Sequence, residues 1–97
     1  MRKCNSLEEV RIEVDKLDTQ LVEIISERSH LIHQAASFKN SVEEVKSPDR
    51  IEFIIQRGRH KAIELGINPN MVTELFRIMI EEMVEMEISE FRNTDAF

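Results

Sequence analysis

Arg28 interrupts an apolar stripe that runs Leu7, Val10, Val14, Leu17, Leu21 and Ile24, then continues through Leu31, Ala35 and Phe38 at alternating spacings of three and four residues. Burying an unpaired guanidinium costs several kcal/mol, so a packing face that carries one supplies either a carboxylate partner or an anionic ligand. The residues about one helical turn from it, Ile24, Ile25, Leu31 and Ile32, offer no carboxylate, which leaves Glu27 and other helices as internal partners. Two further cations share its phase. At 100° per residue, Arg11, Arg28 and Lys39 project within about 20° of one another. Arg28 and Lys39, roughly 16 Å apart along such a helix, can converge on one small anion, whereas Arg11 lies roughly 25 Å from Arg28 and joins that site only from an antiparallel second copy. Taken singly, Arg11 and Lys39 are also explained as surface residues that snorkel to solvent and pair with glutamates.

Two more residues belong to this set. Arg50 falls in the first turn of a second helix, where the macrodipole favours acids and free N–H groups already attract anions. It is misplaced for stability and well placed to clamp a carboxylate, although Asp49 beside it satisfies the dipole. Glu87 lies on the face Phe76, Ile80, Met83, Glu87, Phe91 of a third helix. Desolvation there favours the protonated acid, which can donate a hydrogen bond or act as a general acid, whereas a neighbouring cation favours the carboxylate. A solvated glutamate on an acidic helix is the alternative.

Other chemistries find little support. His30, His33 and His60 share no ligand spacing with cysteine or acids, and read as surface residues. No glycine-rich phosphate loop, nucleophile elbow or triad pattern occurs. Met79, Met83 and Met86 are most simply core filler. A net charge of −6 argues against nucleic-acid binding, so any cationic site must be local. The single Cys4 excludes an internal disulfide and fits a reducing compartment, with the cytoplasm as default. No signal-peptide or membrane-spanning stretch is evident.

The elements that must position these residues are helical. Two glycines, two prolines, no tryptophan and no tyrosine, against abundant Leu, Ile, Val, Met, Glu and Lys, predict an all-α chain. The expected order is long, short and medium. Helix one starts at the cap Ser6, with Glu8 and Glu9 in its first turn, and runs to about Phe38. It is too long for a three-helix monomer of 97 residues to cover, so its stripe needs a partner chain; a simple coiled coil has the same 3-4 spacing. Periodicity fails from Asn40 to Lys46. Ser47-Pro48 starts helix two, whose apolar face is Ile51, Ile54, Ile55, Ala62 and Leu65, with Gly58 permitting a close approach and Gly66 ending it. For Ser47, capping is the expected role over ligand contact. Asn68-Pro69 starts helix three, which runs to about Phe91 with Val72, Phe76, Ile80, Met83 and Val84 inward and Glu81, Glu82, Glu85 and Glu90 mostly outward. The chain reads as one domain over residues 1–97.

The segments LEEVRIEVDKLD, ERSHLIHQAASFK, SPDR and ELFRIMIEEMVEMEISEF, with Arg11, Arg28, Lys39 and Arg50 in that order and a polar residue at position 87, resemble the all-α class of chorismate mutases from Ser6 to Arg92. The resemblance implies an intertwined helical homodimer with two active sites, neither cofactor nor metal, and a small dicarboxylate substrate. It implies that Arg28 binds the enolpyruvyl carboxylate and the partner subunit's Arg11 the ring carboxylate. Lys39 and Glu87 would bond the ether oxygen whose bond breaks. Arg50 lies over the substrate, and Ser47, Ile51 and Met83 belong to the substrate-binding set.

Two positions depart from the common mutase pattern. Glu87 stands where many members have Gln, and donates to the ether oxygen only when protonated, so activity should fall as pH rises. Ile51 stands where a ring-hydroxyl-binding Glu is typical, and Ser47 where Asp is common. The run Ser-Pro-Asp-Arg-Ile, after Phe-Lys-Asn-Ser, looks more like the isochorismate-pyruvate lyases of the same fold, which release pyruvate and salicylate. The mutase reading is preferred because that reaction is the broader activity of the fold. A non-catalytic helical dimer is the remaining reading.

Overall fold

The computed structural model describes residues 3–95. They form α1 (Leu7–Ala36), α2 (Val42–Val45), α3 (Pro48–Leu65) and α4 (Pro69–Asp95), with no strand among the described residues. The long, short and medium helices of the sequence reading are α1, α3 and α4; the one-turn α2 is additional. The chain divides into two compact units, Met1–Leu31 and Ile32–Phe97.

The first unit is the greater part of α1. Ser6 Oγ accepts from the Glu9 N–H at 3.1 Å, and Glu9 Oε2 in return accepts from the Asn5 N–H at 2.7 Å, which satisfies two amide donors at the helix start. No described residue before Ala36 is buried. The stripe is exposed along its length, from Leu7 at 63% through Leu17 at 61% and Ile24 at 60% to Leu31 at 63%. A helix that shows this much apolar surface on one face draws its stability from whatever covers that face.

The second unit packs α3 against α4, with α2 also on α4. Its core is Ala36, Val45, Ile55, Ala62, Ile80, Met83 and Ile88. Ser47 Oγ accepts from the Arg50 N–H at 3.4 Å and Pro48 occupies the first turn, so α3 begins as its sequence dictates. At the other end Gly66 adopts φ +76°, and the Ile67 N–H returns to the Ala62 carbonyl at 2.9 Å. Asn68 Oδ1 then accepts from the Asn70 N–H at 2.9 Å and starts α4.

Two features lock the α3–α4 pair. A Cβ on Gly58 would sit 3.1 Å from the Phe76 ring, so this glycine sets the close approach the sequence suggests. Arg59 Nη1 donates to Thr73 Oγ1 at 2.8 Å and to Asn70 Oδ1 at 3.1 Å, and the buried Thr73 hydroxyl donates to the Pro69 carbonyl at 2.9 Å.

Three boundaries differ from expectation. α1 stops at Ala36 rather than near Phe38, because the amides of Ser37, Phe38 and Lys39 bond carbonyls three residues back while Ser37 Oγ donates to the Gln34 carbonyl at 2.8 Å. Phe38 is left 83% exposed. Residues 42–45 form a helical turn, since Ser41 Oγ accepts from the Glu44 N–H at 3.2 Å. α4 continues past Phe91 to Asp95, and Leu65 is exposed rather than part of the α3 core face.

Candidate active site

Lys39 sits three residues beyond the end of α1, in the turn that leads to α2. The common helical phase read for Arg11, Arg28 and Lys39 therefore holds for the first two only. What places Lys39 is a tertiary contact: its Nζ lies 3.1 Å from Glu87 Oε2, across 48 residues of sequence. The Glu87 side chain is only 4% exposed and that of Lys39 28%. The Lys39 ammonium also donates to the Glu44 carbonyl at 3.5 Å.

Glu87 thus matches the carboxylate expected on the apolar stripe, and it is not a solvated surface acid. It is one of two buried polar residues among those described, Thr73 being the other. α4 presents it between Met83 one turn earlier, which is buried, and Phe91 one turn later, which is half-buried. Every buried side-chain nitrogen and oxygen of a described non-exposed residue has a hydrogen-bond partner, so the polar centre is fully satisfied. A carboxylate this buried is tolerated because the ammonium neutralises it.

Ser47 caps α3, in agreement with its expected role, and is half-buried. Arg50 is exposed, with its guanidinium carbon 5.4 Å from the centroid of the Phe53 ring; Arg57 approaches the same ring at 5.9 Å. Ile51 is half-buried and lines an open groove of about 470 Å³, along with Lys46, Ile55, Arg77, Ile80, Glu81, Glu82, Val84 and Glu85. Ile80 and Val84 of this groove lie within one turn of Met83 on α4, while Lys46, Arg77, Glu81, Glu82 and Glu85 give the groove a charged lining.

Arg11 and Arg28 belong to the first unit, where Arg11 is exposed and Arg28 half-buried. Their separation of 17 residues on one straight helix is about 25 Å, which no pair of side chains spans. Lys39, Ser47, Arg50, Ile51, Met83 and Glu87 all belong to the second unit, and of these the structure joins Lys39 and Glu87 directly.

Sequence reasoning overlooked Glu44. Its backbone carbonyl meets the Lys39 ammonium, and its carboxylate accepts from the Asn40 N–H at 2.7 Å. The signal was present as Ser41-x-x-Glu44, the spacing of a capping box, but it lies in a stretch too short to show helical periodicity.

Among the described residues no group of three or more His, Cys, Asp or Glu could hold a metal ion, and His30, His33 and His60 are all exposed. His33 Nδ1 lies 3.7 Å from Glu90 Oε2. Among the described residues no helix is long and apolar enough to cross a membrane.

Comparison with known proteins places the chain among named relatives. A chorismate mutase of Methanocaldococcus jannaschii is 30% identical over 76 residues, covering 77% of this chain and 77% of that protein. An isochorismate pyruvate lyase of Pseudomonas aeruginosa is 25% identical over 91 residues, covering 94% and 90%. A 4-amino-4-deoxychorismate mutase of Streptomyces venezuelae is 26% identical over 88 residues, covering 90% and 85%. The sequence model described as chorismate mutase type II matches residues 10–88, and the chain belongs to that family.

Proposed function

We propose that the chain is a chorismate mutase that converts chorismate to prephenate. The observation that carries the reading is the Lys39–Glu87 pair, which sets an ammonium beside a buried carboxyl group one turn from the buried Met83. The reaction breaks the ether C–O bond and forms a C–C bond within one molecule, so the protein supplies neither nucleophile nor redox group. Its work is to hold the reactive conformer and to stabilise negative charge growing on the ether oxygen. Lys39 donates to that oxygen, and Glu87 donates beside it when protonated. Arg28 binds the enolpyruvyl carboxylate and the partner subunit's Arg11 the ring carboxylate. Arg50 turns from the Phe53 face to cover the substrate, while Ser47, Ile51 and Met83 complete the substrate-binding set.

The homodimer is part of the same proposal. The exposed stripe from Leu7 to Leu31 supplies the apolar face by which two α1 helices pair, and the reach argument requires Arg11 from a second copy. We place the enzyme in the cytoplasm, where a lone cysteine stays reduced.

One observation favours a second reading. Ile51 is apolar at the position where the common mutase pattern has a carboxylate for the ring hydroxyl, which suits an isochorismate pyruvate lyase. Incubating the protein with chorismate and with isochorismate, and scoring prephenate against salicylate plus pyruvate, separates the two. Turnover of neither at about pH 5 or about pH 7.5 defeats both readings. A dicarboxylate transition-state analogue should raise the Tm of an enzyme and leave a non-catalytic dimer unchanged.

A further inference from the structure

We infer that Glu44 is a positioning residue that holds the Lys39 ammonium in place. The inference rests on the assignment of Lys39 to the ether oxygen. A lysine reaches its target on a four-carbon stem with many rotamers, so its aim depends on what fixes the backbone beneath it and the ammonium at its tip. Glu44 contacts both, sharing the ammonium with Glu87, which lies nearer at 3.1 Å. The Glu44 carboxylate accepts from the amide of Asn40, the residue after Lys39, at 2.7 Å. The Glu44 carbonyl accepts from the Lys39 ammonium at 3.5 Å and also from the Ser47 N–H at 3.4 Å. The Glu44 N–H donates to Ser41 Oγ at 3.2 Å.

One turn of chain thereby links the lysine, its peptide and the cap of α3, the helix that carries Arg50 and Ile51. Val45 anchors that turn, being 5% exposed where α2 packs on α4. Glu44 itself is exposed, and its carboxylate acts on the lysine through the Asn40 amide.

The test compares Glu44→Ala, Glu44→Gln and Ser41→Ala with the wild-type protein. Gln keeps an oxygen that accepts from the Asn40 N–H, whereas Ser41→Ala weakens the same turn without releasing Asn40. Glu44→Ala should lower kcat about tenfold with KM within about twofold, since orientation is lost and not substrate affinity. Glu44→Gln and Ser41→Ala should both retain kcat within about twofold, with a lower Tm for Ser41→Ala alone. A slowly exchanging ¹H–¹⁵N ammonium signal from Lys39 should appear in the wild type and Glu44→Gln, and disappear in Glu44→Ala, where Glu87 and the residue 44 carbonyl remain but the peptide beneath the lysine is released from the Glu44 carboxylate. Wild-type kcat in Glu44→Ala, equal losses in Glu44→Ala and Glu44→Gln, or a matching kcat loss in Ser41→Ala would each overturn the inference. If the wild type turns over neither substrate, the role of Lys39 fails; the ammonium signal then judges the anchoring by itself, and its persistence in Glu44→Ala overturns it.

Discussion

The Lys39–Glu87 pair has a structural role apart from the chemistry proposed for it, because the ammonium neutralises a carboxylate that is only 4% exposed. Deleting the ammonium in Lys39→Ala strands a carboxylate that is 4% exposed, which should cost about 3–5 kcal/mol of unfolding free energy in denaturant titration. Replacing both partners, as Lys39→Met with Glu87→Leu, removes the stranded charge and should recover most of that loss. Activity should not follow stability: kcat falls about a hundredfold or more in Lys39→Ala and stays low in the double variant, since the donor to the ether oxygen is gone. Recovery of turnover along with stability would remove Lys39 from the mechanism. Glu87→Gln tests the other partner. An amide keeps a donor at this position without a carboxyl proton, so Glu87→Gln should retain kcat within about tenfold of wild type, and a loss as large as that of Lys39→Ala excludes a hydrogen bond from position 87 to the ether oxygen.

At the scale of elements, the α3–α4 pair is set by small features with little redundancy. Gly58 lets Val72 and Phe76 press against the α3 backbone, with the nearest Phe76 ring atom 3.1 Å from where a Cβ would stand. Gly58→Leu drives a branched side chain into that contact and should destabilise by about 1–3 kcal/mol, read as a lower Tm with helical content retained below the transition. A Tm equal to wild type would mean that the helices can part there at no cost. Both caps of this pair were legible, since Ser47-Pro48, Gly66 and Asn68-Pro69 act within a few residues of themselves. α2 was not. One turn is shorter than any periodic pattern, and its reason for forming is the Ser41–Glu44 bond together with the seat that Val45 finds on α4.

For the molecule as a whole, the decisive surface is the exposed apolar stripe of α1. If α1 pairs two copies as proposed, Leu17→Glu with Leu21→Glu, on residues 61% and 54% exposed, should shift the sedimenting species from dimer to monomer with loss of turnover, and an unchanged sedimentation coefficient defeats the pairing. Arg28→Ala should abolish turnover while leaving the fold intact. A sharper test comes from mixing inactive variants. If the partner subunit's Arg11 completes each site, Arg11→Ala and Arg28→Ala chains refolded together should regain about a quarter of wild-type activity, because half the dimers are mixed and one site in each is intact. No recovery would place Arg11 and Arg28 in the same chain's site, against the helical distance between them.

By itself, the sequence determined the helical class, the caps of the three long helices, the Gly66 stop of α3, the stripe that α1 leaves open and the residue types proposed for the site. These follow from rules that act within one helix, namely periodicity, capping and the reach of a side chain. Only the tertiary structure decided how Lys39 meets Glu87. Phase along an extended α1 placed Lys39 in a row with Arg11 and Arg28, but the helix ends at Ala36 and a turn redirects the lysine onto α4. The physical reason is that a buried carboxylate on Glu87 must be neutralised from another element, and no local pattern specifies which cation, 48 residues away, will do it.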